Sequence, residues 1–332
     1  MERKHDAANF ENRLSALREE AKRGAPVQGR GVDVAGGPIP LRAGYYGEAV
    51  VRPPVWTWEI PLYFFVGGAA GMAPLIALPA LVLGQIGLAG VALWIAGVGA
   101  IVSPILLIMD LGRPALFLNM LRVFKFQSPM SVGAWTLALF GTFAVPAWLI
   151  MFLFQHEAFA PSISFLVLVI IGLLTAGAAV FGLVLATYTG VLIGATAVPA
   201  WHLHRVLLPI HFGTAGLGCA ASLLELTGFH TRPLWMIGIV VACVETLLWI
   251  WLEFDRHGAA DRALHEARGG WMIRIGELLS GPLPIALRFL NVIPGAALSF
   301  LVGALVSRYG WLEAGRVSGR DPEAVFATQR KA

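Results

Sequence analysis

Glu59 stands between two tryptophans and an apolar run, in Pro53-Pro54-Val55-Trp56-Thr57-Trp58-Glu59-Ile60-Pro61. A carboxyl so placed loses part of its hydration, which suits it to exchange protons. It could equally cap a helix start, with Pro61 in the first turn. Asp110 and Arg113 follow the same run three residues apart, in Asp110-Leu111-Gly112-Arg113-Pro114, and Phe117-Leu118-Asn119-Met120 comes next. That spacing permits an ion pair that either shapes a pocket or anchors a loop. His202 and His204 follow Trp201, and His211 lies further on. A bis-histidine haem needs histidines at matching depth on separate helices. Only His211 falls clearly inside an apolar run, so no haem is expected. Glu225 sits near the far end of one run and Glu245 midway through the next. With His211 they would step by depth from one face toward the other, as a proton relay or as interhelical hydrogen bonds.

What must hold these groups is set by the apolar runs. From Ile60 to Met109 there is no Asp, Glu, Lys, Arg or His. One helix of that length would reach about 75 Å, whereas a hydrocarbon core is about 30 Å thick. The run must cross, turn near Gly84-Gln85-Ile86-Gly87, and cross back. Only 13% of residues are charged, about half the usual share of a soluble domain. The runs are continuous rather than alternating, which points to a helix bundle and not a barrel.

The expected fold is therefore all-α, an integral membrane bundle of eight transmembrane helices behind a polar N-terminal extension. The spans are read at Ile60–Leu83, Leu88–Met109, Ser131–Phe154, Ser162–Ala186, Val206–Leu226, Leu234–Leu252, Met272–Leu290 and Val292–Arg308. Pro282, Pro284 and Pro294 interrupt the last two, and Arg274, Glu277 and Arg288 lie inside or at their ends. Thr187–Trp201 reads as an interfacial or re-entrant segment. Residues 1–55 form the extension, 56–312 the bundle and 313–332 a tail. With eight spans, 22 of the 24 Lys and Arg residues fall on one face, all but Arg232 and Arg288. The positive-inside rule then puts both termini in the cytoplasm. The net charge of +4 thus reports orientation rather than a nucleic-acid partner, and the N-terminus lacks the apolar core of a secretory signal. Glycines such as Gly67, Gly68 and Gly71 have the small-residue spacing of close helix contacts.

Cofactor motifs are wanting. Cys219 and Cys243 have no C-x-x-C spacing and read as buried thiols, so the chain builds no iron–sulfur cluster of its own. There is no P-loop, dinucleotide fingerprint, nucleophile motif or metal-ligand set. One alternative is a secondary transporter with Glu225 and Glu245 as ion or proton sites, although no internal repeat is evident.

Four segments in order, "PPVWTWEIPLYFFVGGAAG", "DLGRP…FLNMLRVFKFQSPMSVGAW", "YTGVLIGATAVPAW" and "VGALVSRYGWLEAGR", resemble the NrfD/PsrC family of polysulfide-reductase-type membrane subunits. The resemblance covers nearly all of Gly44–Gln329. It implies a multi-pass subunit of the bacterial cytoplasmic membrane, without haem or iron–sulfur cluster. Such a subunit anchors an iron–sulfur partner that relays electrons to or from a molybdenum or tungsten catalytic subunit, and exchanges them with quinone or quinol. Formate dehydrogenase is the first expectation for the whole complex, and menaquinone or ubiquinone for the carrier. A pure anchor with quinone bound elsewhere is the other reading. The implied pocket involves Trp56–Tyr63 and Asp110–Pro114. Glu59, Asp110 and Arg113 would do its chemistry, and Trp56, Trp58, Tyr63, Asn119, Tyr188, His202 and His204 would line it. His202 and His204 have no counterpart in the family pattern. His211, Glu225 and Glu245 would form the proton path.

Overall fold

The computed structural model describes residues 51, 54, 56–111, 114–255, 258 and 262–329, without the side chains of 114–116. The N-terminal extension up to residue 50, and Arg113, lie outside the described residues. No strand occurs among the described residues. Among the described residues seven helices are long and apolar enough to cross a membrane: α1 (Glu59–Val82), α2 (Ile86–Asp110), α3 (Pro129–Gln155), α4 (Ser164–Gly194), α6 (Leu207–Leu226), α7 (Arg232–Phe254) and α11 (Ile293–Arg320). Shorter helices are α5 (Pro199–Leu203), α8 (Arg262–His265), α9 (Arg268–Ser280), α10 (Pro282–Phe289) and α12 (Pro322–Gln329).

The seventh of the eight expected spans is a broken element. In place of one helix over Met272–Leu290, the chain forms α9 and α10, divided at Gly281. Pro282 and Pro284 cause the break, because Pro282 supplies no N–H to carry the ladder on. Two other expectations shift. Thr187–Gly194 continues α4 instead of leaving it, since the Thr187 and Thr189 hydroxyls bond back to carbonyls of their own helix. Residues beyond 312, expected as a tail, extend α11 to Arg320 and fold back as α12, burying Ala314, Ala324 and Val325. Cys219 is buried as expected, but Cys243 is exposed on α7.

Helix α1 is the central staff and packs against α2, α4, α6 and α11. It comes close to α4 where Gly71 meets Gly182, since a Cβ on either would strike the other's carbonyl. Such backbone approach is the usual source of helix affinity in lipid. The core runs through Phe64, Leu93, Phe140, Ile171, Phe212 and Trp311. Large apolar side chains stay exposed on α3, α4 and α7, including Leu153, Phe165, Leu173, Val180 and Leu247. Water tolerates no such apolar surface, and the chain is a multi-pass membrane protein.

Candidate functional site

At the end of the bundle where α1 begins and α2 stops, the strand of chain Trp56–Trp58 is laid across α11. The Trp58 carbonyl accepts from Tyr309 Oη at 2.9 Å, and the Trp56 carbonyl accepts from Arg316. The Trp56 ring stacks on buried Trp201 with centroids 5.6 Å apart and planes 21° apart. Trp201 in turn donates its indole N–H to the Trp311 carbonyl at 2.8 Å. This stack fixes the entry of α1 without any side-chain cap on the helix.

Two carboxyls converge there on one hydroxyl. Thr57 Oγ1 lies 2.9 Å from Asp110 Oδ1 and is also hydrogen-bonded to Glu59 Oε2, while the Thr57 N–H donates to Asp110 Oδ1 at 3.1 Å. A threonine hydroxyl has a single proton to give. It can serve Glu59 or Asp110 at one time, and it links the two carboxyls. Beside them opens a cavity of ≈ 640 Å³ whose walls include Trp56, Thr57, Trp58, Pro61, Tyr309 and Arg316. Its size falls within the range of small-molecule sites, and its aromatic rings share the wall with Arg268, Glu313, Arg316 and Arg320.

Glu59 and Asp110 do not line the cavity and adjoin it only through Thr57, and the other residues expected in the pocket are placed apart from it. Tyr63 and Tyr188 are buried on α1 and α4, and Tyr188 donates to the Pro129 carbonyl at the start of α3. Asn119 is exposed in the 3₁₀ turn of Pro114–Leu121. His202 lies on α5, and His204 packs its Nδ1 2.9 Å from the Ala200 carbonyl between Trp251 and Trp311. Among the described residues none of these lines the cavity.

A second polar centre lies in the bundle interior. His211 Nδ1 is 2.6 Å from Glu245 Oε2, and Nε2 is 3.1 Å from Ser307 Oγ. Ser307 donates to Glu277 Oε1 at 2.8 Å, and Thr214 donates to Glu245. Arg308 donates to the Phe212 carbonyl at 3.0 Å and lays its guanidinium over the Phe212 ring at 3.8 Å. His211, Glu245, Glu277, Ser307 and Arg308 are all buried. Their donor types could also take a cation, with ligand atoms of His211, Glu245 and Glu277 within 4.8 Å of one another. Both imidazole nitrogens are already engaged, however, and the Arg308 guanidinium supplies positive charge beside them.

Glu225 is not joined to that centre. It stands 14 residues beyond His211 on α6, about 21 Å along the axis. There it forms a bidentate ion pair with Arg288, at 2.6 and 2.7 Å. The reading of the sequence thus missed Glu277, Arg288, Ser307 and Arg308 as members of polar centres, and Thr57, Tyr309 and Arg316 at the mouth. Glu277 and Arg288 gave the same signal as Glu245, an ionisable residue within a span, but the proline-broken run masked it.

A family described as "Polysulphide reductase, NrfD" has a model that matches residues 49–317 of the chain. No curated protein matches it.

Proposed function

The chain belongs to the NrfD polysulphide reductase family, whose members are membrane subunits of respiratory oxidoreductase complexes, and from that premise we propose that it is the quinone-reactive subunit of such a complex. The observation that carries the proposal is the ≈ 640 Å³ cavity between the Trp56–Trp58 segment and α11, with Thr57 in its wall bonded to the Glu59 and Asp110 carboxyls. A quinone bound there supplies two-electron, two-proton redox chemistry, and every electron it takes up must be matched by a proton. Trp56, Trp58 and Tyr309 offer flat apolar surface to a head group. Thr57 connects the cavity wall to Glu59 and Asp110, the carboxyls that would pass protons to a head group, and Arg316 offsets negative charge at the cavity wall.

Electrons in this proposal come from an iron–sulfur subunit docked over the Trp56 end, fed by a molybdenum or tungsten catalytic subunit. Formate oxidation is the reaction we assign first to that complex. We also propose that α9 and α10 together make the eighth crossing. Their 21 residues would reach about 32 Å if roughly in line, against a core of about 30 Å. An even number of crossings leaves both termini on the lysine- and arginine-rich, cytoplasmic face.

The test is Glu59→Gln in the intact complex of the cytoplasmic membrane. Turnover coupled to a quinone should fall by about 10²- to 10⁴-fold, the usual share of one positioned proton-transfer group. Turnover of the catalytic subunit with an artificial dye should be unchanged. Equal turnover with quinone in both forms would remove Glu59 from the chemistry. Isolation of the chain without any cluster-bearing partner would overturn the assignment to a complex.

A further inference from the structure

The interior centre has a charge balance that its hydrogen bonds make readable. Glu245 accepts from Thr214, Ser307 donates to Glu277, and the two imidazole nitrogens of His211 face Glu245 and Ser307. With one proton on each imidazole nitrogen, His211 is imidazolium and both carboxyls are ionised. The proton positions follow from the network, as they must wherever hydrogens are inferred. The charged groups that act on His211 are Glu245 from α7, Glu277 from α9 and Arg308 from α11. Two carboxylates, one guanidinium and one imidazolium sum to zero. Removing one proton leaves a net negative charge inside the membrane, which is costly. The centre is therefore built to hold one exchangeable proton.

Its surroundings differ in the two directions across the bundle. Toward the end of α7, a cavity of ≈ 10 Å³ touches His211 and Glu277 and is closed by Leu207, Leu248, Trp249, Leu252 and Trp311. That is about the room of a single water molecule. Trp249 is one wall of this cavity, and Glu253 stands one turn further along α7. Glu253 pairs with Arg274 at 2.6 Å and lies 3.7 Å from His265. The Glu253 side chain is 30% exposed. Arg274 is one turn from Glu277 on α9, so the partly exposed pair and the buried centre are about 5 Å apart along that helix.

In the opposite direction the chain is closed. Phe300 packs its ring onto the backbone of Gly218 and is fully buried with Ala215, Cys219 and Val241. This apolar layer separates the centre from Glu225, whose carboxylate is held at both oxygens by Arg288.

We propose that His211, Glu245, Ser307 and Glu277 form an interior proton store that exchanges with one face only, through the Trp249–Leu252 cavity and Glu253, and is sealed from the other face by Phe300. The store is not a relay through Glu225. A proton reaching Glu277 forms an O–H bond there. In the emptied store His211 is neutral, with its proton on Nδ1 toward Glu245, so transfer to Ser307 Oγ releases the serine proton to the free Nε2 and restores the imidazolium. One bond breaks for each bond formed, one proton moves, and nothing is oxidised or reduced. The proposal needs no redox carrier, so it stands or falls apart from the quinone reading.

Infrared difference spectroscopy on the full-length chain in lipid vesicles, with the Glu253 face outward, tests it by following a carboxyl C=O stretch that shifts in heavy water. An outside pH jump should change that band promptly, and a jump confined to the lumen should not. The band should vanish in Glu245→Gln and Glu277→Gln variants that keep wild-type elution and thermal midpoint. Glu253→Gln should slow the response on the order of a hundredfold, the lower end for loss of one proton-transferring group, and Glu253→Asp should restore most of it. Phe300→Ala should let a lumenal jump reach the band. Because Glu253 is at the surface, its variants keep the test alive should the interior ones fail to fold. A wild-type band that responds equally from both sides, or an unaltered rate in Glu253→Gln, would overturn the proposal.

Discussion

Replacing Arg288 by leucine removes one half of a pair whose side chains are both only 1% exposed. The guanidinium meets Glu225 with two parallel contacts, 2.6 and 2.7 Å, the strong forked geometry of arginine with a carboxylate. At a charge separation of about 4 Å and an effective dielectric of 20, the attraction is about 4 kcal/mol. Without Arg288, Glu225 must be protonated or draw in water, and breaking such a pair costs about 3–5 kcal/mol. Replacing both, Glu225→Leu with Arg288→Met, removes the two desolvation costs together and should come within about 1 kcal/mol of the parent, since well-packed apolar substitutes are often neutral or better. Gly238→Ala should reproduce part of the single loss, because a Cβ there strikes the Arg288 guanidinium. Reversible unfolding in mixed micelles, titrated with a denaturing detergent, reads all four free energies. A loss below about 1 kcal/mol for Arg288→Leu, or a double variant as unstable as the single, would refute a buried, paired charge at this position.

Trp201→Ala should cost about 3–5 kcal/mol, as for other large aromatic truncations, and should also loosen Trp56, which a fall in protection of the Trp56–Trp58 amides in hydrogen exchange would reveal. Tyr188→Phe deletes one hydrogen bond to the Pro129 carbonyl and should cost about 1 kcal/mol, read in the same unfolding assay. Gly71→Leu forces α1 away from α4 at its contact with Gly182, so the purified protein should lose its folded elution peak. Arg262→Ala removes an exposed pair with Asp321 and Glu323; exposed pairs contribute little, and the thermal midpoint should not move.

The apolar runs carried most of the fold. Absence of charge over Ile60–Met109 fixed two crossings and the turn between them, and α1 and α2 lie within two residues of that reading. What periodicity could not show was the state of proline-rich apolar chain: Pro282 and Pro284 cut one expected span into α9 and α10. Nor could it show that the polar threonines after Ala186 satisfy themselves on their own helix and keep α4 going. At the site, single residues were legible because a lone carboxyl in grease announces itself, as Glu245 did. Partnerships were not. That His211 chooses Glu245 and Glu277, while Glu225 goes to Arg288, depends on which faces of α6, α7, α9, α10 and α11 meet. Spacing along one helix carries no such information. Thr57 and Tyr309, ordinary residues in a sequence, matter at the mouth because backbone carbonyls and carboxyls close around them.

The account turns on the cavity beside Trp56 being where a quinone meets the chain. A photoreactive quinone analogue, irradiated on the purified complex and mapped by mass spectrometry, addresses that directly. The account predicts label on the peptides holding Trp56–Pro61 and Tyr309–Arg316, lost when excess unmodified quinone is present. Label confined to another part of the chain or to a partner subunit, with those two peptides clean, would contradict it.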